Sequence, residues 1–171
     1  MIPDAYYKTI YDIDYDNLLK KGYINIFLDV DNTLIPYTED KVRKENIDLI
    51  NRLKSKGFNV IVVSNSRSKR VLKIVEELGI RGYYSSMKPL KKTYKKILKE
   101  FNKNECIFIG DQFMTDVLGA YRCGIKIILV DRISDAEPIY TRFWRFFEKR
   151  LLNIYKKQDR FKIHEYYDNI N

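Results

Sequence analysis

One histidine, His164, and two cysteines, Cys106 and Cys123, are the only imidazole and thiol ligands in a chain of 171 residues. With no CxxC spacing among them they exclude a zinc site of the ordinary kind, and cysteine this sparse points to a reducing compartment. No apolar run approaches the ~20 residues needed to span a bilayer. The N-terminal stretch MIPDAYYKTIYDID lacks the basic start and apolar core of a secretory leader. The expectation is a cytoplasmic protein, or one attached peripherally to the cytoplasmic face of a membrane. Repeats and low-complexity tracts are also missing, so the length is read as a single ordered domain. Acidic residues are in deficit: 23 Asp and Glu stand against 32 Lys and Arg, a net charge of +9 and a pI near 9.4. The excess is concentrated in the stretches 88–103 and 142–157, and it favours anionic partners.

What is present is a recurring pattern. Four short apolar runs, INIFLDV (24–30), FNVIVVS (58–64), ECIFIG (105–110) and IKIILV (ending at Val130), are each set between turns and helical patterns. Continuous apolar character, without alternation, marks strands covered on both faces. Val42, Ile47, Ile50 and Leu53 fall roughly on one helical face ahead of Gly57, and a second helix is predicted from Ser68 to Leu78, stopped by Gly79. A weaker strand is expected near Tyr83. Further helices are expected over 90–101, with Tyr94, Ile97, Leu98 and Phe101 inward, and over 114–123, ending at Gly124. Strands alternating with helices predict an α/β fold, a three-layer Rossmann-like sandwich around a mostly parallel sheet. In such a sheet ligands bind beyond the carboxyl ends of the strands.

That edge is where the chemistry-bearing residues gather. Asp29 ends the first run, with Asp31 two positions on. Ser64 ends the second, Lys88 follows the weak strand, and Asp111 follows the run ending in Gly110. A strand needs no pair of aspartates at its end. Either one alone reads as a turn or cap residue, as do Thr33, Asn32 and Asn65. Four strand ends supplying carboxylates, a hydroxyl and a lysine to one place read instead as a site, and two or three carboxylates beside one lysine suit a hard divalent cation.

DVDNT at 29–33, Ser64, Lys88 and GDxxxxD at 110–116 resemble the four motifs of the haloacid dehalogenase-like (HAD) phosphohydrolases, in order. DVDNTLIPY, VVSNS, KPL, IGDQFMTDVLGAYRCG and TRFWR are more specifically similar to the YqeG family, which is related to phosphatidylglycerophosphate phosphatases. The resemblance runs from about residue 3 to 155. Ser66, where such relatives have asparagine, departs from it, and the stretch after Lys157 matches nothing. The resemblance implies a Mg²⁺-dependent phosphatase. Asp29 would be the nucleophile that forms an aspartyl-phosphate, and Asp31 the acid and base. Asp29 and Asp111, with the Asp31 carbonyl, would be metal ligands. Thr33, Ser64 and Asn65 would hold phosphate oxygens, Lys88 would offset charge on the transferring group, and Asp116 would support Lys88 or a metal-bound water.

The spacing from Thr33 to Ser64 and from Ser64 to Lys88 leaves room for single helices and strands but for no cap domain, which implies an open site and a bulky substrate. Residues 1–136 are thus read as the phosphatase core, preceded by a short N-terminal segment, and 137–171 as a basic amphipathic helix and tail. Within the helix, predicted over 137–157, Tyr140, Phe143, Trp144, Phe147, Leu151 and Ile154 form one stripe beside arginines and lysines. Such a helix either packs on the sheet or lies in the headgroup region of an anionic membrane. The leading substrate is an anionic lipid phosphate, phosphatidylglycerophosphate. An RNA- or ribosome-associated factor using the lysine-rich segment 88–103, or a broad small-molecule phosphatase, are the alternatives.

Overall fold

The computed structural model describes residues 1–66, 69–137 and 139–171. Its centre is a sheet of seven strands in the order β4-β3-β2-β5-β6-β1-β7. They are β1 (Ala5–Tyr7), β2 (Asn25–Leu28), β3 (Asn59–Val63), β4 (Arg81–Tyr83), β5 (Cys106–Gly110), β6 (Lys126–Val130) and β7 (Tyr167–Asp168). All neighbours run parallel except β1 and β7. The four apolar runs are the four central strands. Alternate side chains go to opposite faces of the sheet, and this divides the core in two. Ile26, Leu28, Val60, Val62, Ile107 and Ile109 face one helical layer, whereas Phe27, Ile61, Val63 and Phe108 face the other.

The first layer is built by α1 (Tyr15–Lys20), α2 (Lys44–Ser55) and α3 (Lys69–Leu78), which bury Leu18, Leu49, Ile50, Leu53, Val71, Ile74 and Leu78. The Asp14 carboxylate caps α1 by accepting the Asn17 N–H at 2.9 Å. Ser68, expected to start α3, lies outside the described residues. The second layer comprises α4 (Lys91–Ile97), α5 (Leu118–Cys123) and part of α6 (Ile139–Lys157). Helix α4 is shorter than expected: it stops at Ile97, with Leu98 and Phe101 only partly buried. The helix expected over 114–123 divides into a wide π turn at Phe113–Val117 followed by α5, which Gly124 closes at φ +65°.

Three elements had no clear signature. Helix α1 and the short strands β1 and β7 mix aromatic and polar residues, and β7 brings the C-terminal tail back to pair with β1. Phe161 and Ile170 are buried by that return.

Helix α6 presents a reversal. Its docked face is Thr141, Arg145, Glu148, Leu152 and Tyr155, in which polar residues predominate, while Phe143 and Phe146 are each 63% exposed and Phe147 and Ile154 are exposed beside them. At 100° per residue, Phe143, Phe147 and Ile154 lie within about 40° of one another and opposite the buried face. The aromatic stripe is there, but Phe143, Phe147 and Ile154 of it point to solvent.

Candidate active site

Parallel pairing places Leu28 level with Val62 on one side and Ile109 on the other. The residues that follow, Asp29, Ser64 and Asp111, therefore emerge together at the carboxyl edge. The Asp29 N–H still donates to Ile109 O at 2.9 Å, so this aspartate is held in the strand direction while its carboxylate faces the cleft.

Lys88 arrives from the loop after β4. Its Nζ lies 2.6 Å from Asp29 Oδ1 and 2.7 Å from Asp116 Oδ1, and the lysine is 5% exposed. Asn65 fixes that loop: its Oδ1 accepts from the Lys88 N–H (2.6 Å) and the Ser86 hydroxyl (2.8 Å), while its amide donates to Lys88 O at 3.1 Å. Ser64 is fully buried, and its hydroxyl oxygen accepts the Ser66 N–H at 3.1 Å. Asp116 is set by the π turn, where its Oδ2 accepts the Gln112 N–H at 3.1 Å. Glycine at 110 is required by this packing, since a Cβ there would lie 2.5 Å from the Asp116 carboxyl carbon.

Carboxylate oxygens of Asp29, Asp111 and Asp116 all lie within 4.8 Å of one another, and all three residues are buried. Burial raises Asp29 well above the usual carboxylate range. Lys88 opposes that shift, and Asp116, Asp111 and Asp31 add to it by repulsion. Asp111 is pushed up to about 6, again chiefly by burial, against the pull of Arg145. Burial works against the charge on Lys88, but Asp116 and Asp29 outweigh it and the ammonium is held above its ordinary pKa. Three buried carboxylates with hard oxygen donors and a residual negative balance fit a divalent cation.

Asp31 is not part of that cluster. Its carboxylate pairs with Arg70 of α3, whose guanidinium also donates to Glu39 O at 2.5 Å and to Pro36 O at 2.9 Å. Thr33 donates to Asp111 Oδ1 at 3.3 Å. Asn32, with φ +63°, ties the turn after β2 to the chain ahead of α6. Its amide donates to Ala136 O, and its Oδ1 accepts from Ser134 and the Tyr37 N–H.

Sequence reasoning missed Arg70, Arg145, Glu137 and Glu148. Arg145 reaches in from α6, with Nη2 at 2.8 Å from Asp111 and 2.5 Å from Glu137, and Nη1 at 2.9 Å from Glu148. Burial raises Glu148 to about 7, with Arg145 pulling the other way. The cleft lined by Asp29, Asp31, Asn65, Lys88 and Asp111 has Glu137, Thr141 and Arg145 as its side wall. TRFWR and a basic residue soon after the second motif were visible, but arginines on helices read first as solvated.

Residues 4–124 match the model of the haloacid dehalogenase-like hydrolases. The chain is 34% identical over 159 residues to the probable phosphatase YqeG of Bacillus subtilis, covering 92% of each protein. It is 28% identical to the chloroplastic/mitochondrial phosphatidylglycerophosphate phosphatase 1 of Arabidopsis thaliana, covering 89% of this chain and 47% of that protein. In fold it is similar to the cobalt-bound deoxy-D-mannose-octulosonate 8-phosphate phosphatase of Haemophilus influenzae, with a TM-score of 0.55, 17% identity, and 78% and 89% of the two chains covered. Strand order, site and these similarities agree: the chain belongs to the haloacid dehalogenase-like hydrolases and is a phosphatase of the YqeG type.

Proposed function

We propose that the protein is a Mg²⁺-dependent phosphomonoesterase that works through an aspartyl-phosphate on Asp29 and acts on an anionic lipid phosphate, phosphatidylglycerophosphate. The observation that carries the reaction is the Asp29 carboxylate, buried at a strand end and oriented by Lys88 beside Asp111 and Asp116. Asp29, Asp111 and the Asp31 carbonyl would hold the metal, with Asp116 behind them. When bound, Mg²⁺ offsets phosphate charge that would otherwise repel the attacking carboxylate.

Lys88 holds Asp29 in line and supplies positive charge to the transferring phosphoryl group. An Asp29 oxygen attacks phosphorus, the bond to the leaving oxygen breaks, and Asp31 delivers a proton to that oxygen. Asp31, now ionised, takes a proton from the water that attacks phosphorus next, which frees Asp29 and inorganic phosphate. Arg70 keeps the Asp31 carboxylate oriented through both steps.

The outward aromatic stripe of α6 supports the lipid reading. Phe143, Phe146, Phe147 and Ile154 stand exposed near Arg150 and Lys157, the composition of a helix that seats in an anionic interface. Among the described residues no helix is long and apolar enough to cross a membrane, so contact would be peripheral. The similarity to the Arabidopsis phosphatase supports the same substrate class. The test is phosphate release with Mg²⁺ from phosphatidylglycerophosphate vesicles against a panel of sugar, nucleotide and other soluble phosphates. Preference for the vesicles is expected, and rapid turnover of the soluble panel with none of the lipid would sink the proposal.

A further inference from the structure

A groove of about 1000 Å³ opens beside the catalytic cleft, against about 40 Å³ for the cleft itself. Asp111 and Arg145 line both, so the two adjoin at that ion pair, where Thr33 also lines the groove and donates to Asp111 at 3.3 Å. Between α6 and the turn after β1 it is lined by Leu34, Val130, Ile133, Leu152, Phe161 and Ile163. Its volume is at the upper end of the ~300–1000 Å³ typical of small-molecule sites. A phosphoryl group needs neither that room nor those apolar walls.

Cations outnumber acids along the groove, five to three. Its acids are answered internally: the Asp131 carboxylate accepts from Tyr6 and from Tyr166 (2.7 Å) and sits 3.1 Å from His164 Nδ1. Asp111 and Glu148 are both held by Arg145. Lys8, Arg43, Arg132 and Lys149 line it as well, all exposed, with Arg43 paired to Glu39 and Arg132 to Asp135 and, at 3.7 Å, to Glu137. An apolar trough with cationic edges, opening onto a phosphate-cleaving cleft, is complementary to a phosphate monoester whose leaving group has an apolar body and a second anionic group.

We infer that this groove is the leaving-group site, taking the glycerol backbone and the first part of an acyl chain, with the substrate's second phosphate against the rim cations. The inference rests on the lipid reading above and adds to it where the lipid lies: along α6 and the β1 turn, with Thr33 and Asp111 at its reactive end. Apolar walls convert each methylene they cover into transition-state binding as long as the chain stays in the groove.

The experiment uses the full chain with Mg²⁺ and needs no variant at first. kcat/KM is measured for glycerol 3-phosphate and for monoacyl glycerol 3-phosphates of increasing chain length, all below their critical micelle concentrations. The expected result is a rise of up to about fourfold per methylene until the groove is filled, then a plateau. Ile133→Arg, at a residue 44% exposed, and Leu152→Trp, which narrows the trough, should each flatten that rise. A wild-type profile without dependence on chain length overturns the inference. So do folded variants, checked by circular dichroism, that both keep the wild-type slope. The two readings fail separately: turnover of phosphatidylglycerophosphate vesicles with a flat profile removes the groove alone. A steep profile without vesicle turnover removes phosphatidylglycerophosphate as substrate and leaves the groove as a site for other apolar phosphate monoesters.

Discussion

Replacing Arg145 by methionine keeps the length of the stem and removes the charge that Asp111, Glu137 and Glu148 share. The arginine side chain is 19% exposed and its three partners 5–8%, so the variant leaves nearly buried Asp111 and Glu148 without this cation and Glu137 with only Arg132 at 3.7 Å. Removing one partner of a buried ion pair costs roughly 3–5 kcal/mol. At about 2–4 °C per kcal/mol for a chain of this size, melting should fall by roughly 6–20 °C in metal-free buffer. Mg²⁺ held as proposed would bring positive charge to Asp111, so it should restore more stability to Arg145→Met than to the wild type, by mass action. The assay is thermal or urea unfolding of both proteins across a Mg²⁺ titration. Equal metal-free stabilities, or equal Mg²⁺-induced shifts, would refute the idea that Arg145 and the metal serve the same carboxylate.

Asp29→Asn should abolish Mg²⁺-dependent phosphatase activity, and full activity in a clean preparation would remove Asp29 as nucleophile. Gly110→Ala forces a Cβ to 2.5 Å from the Asp116 carboxyl. It should cost about 1–3 kcal/mol and lower kcat as Asp116 leaves Lys88, and an unchanged kcat would argue against that support. Glu148 has a raised pKa in the folded protein, about 7. Its contribution to stability is complete below its unfolded pKa of ~4.3 and is lost as pH rises through 7. Glu148→Gln should therefore lose less stability than the wild type between about pH 4.5 and 7, and parallel urea-unfolding curves across that window would contradict the sign. Phe143→Ser combined with Phe147→Ser should weaken sedimentation with anionic vesicles without altering melting, because both rings are exposed. Unaltered vesicle binding would argue against the membrane-facing role of α6.

The central strands and the carboxyl-edge positions were legible for a local reason. A strand buried on both faces needs a continuous apolar run, so polar residues at its end stand out. Asp29, Ser64, Lys88 and Asp111 could be placed on one edge because each follows the carboxyl end of a strand in a mostly parallel sheet. Arg145 and Arg70 could not, because a charge on a helix has the same sequence signature whether it faces water or a buried carboxylate. The stripe of α6 shows the same limit from the other side, since periodicity identifies a helical face but not what that face meets.

What the chain's sequence determined by itself was therefore the α/β alternation, the motif set and the class of reaction, each dependent on residue type and local spacing. Tertiary structure decided which ions share a carboxylate, why residue 110 must be glycine, and which way the aromatic helix faces. It also tied the C-terminal tail into the sheet through β7. Those outcomes depend on distances between segments far apart in the chain, where burial sets the energy of a charge and close packing leaves no room for a methyl group.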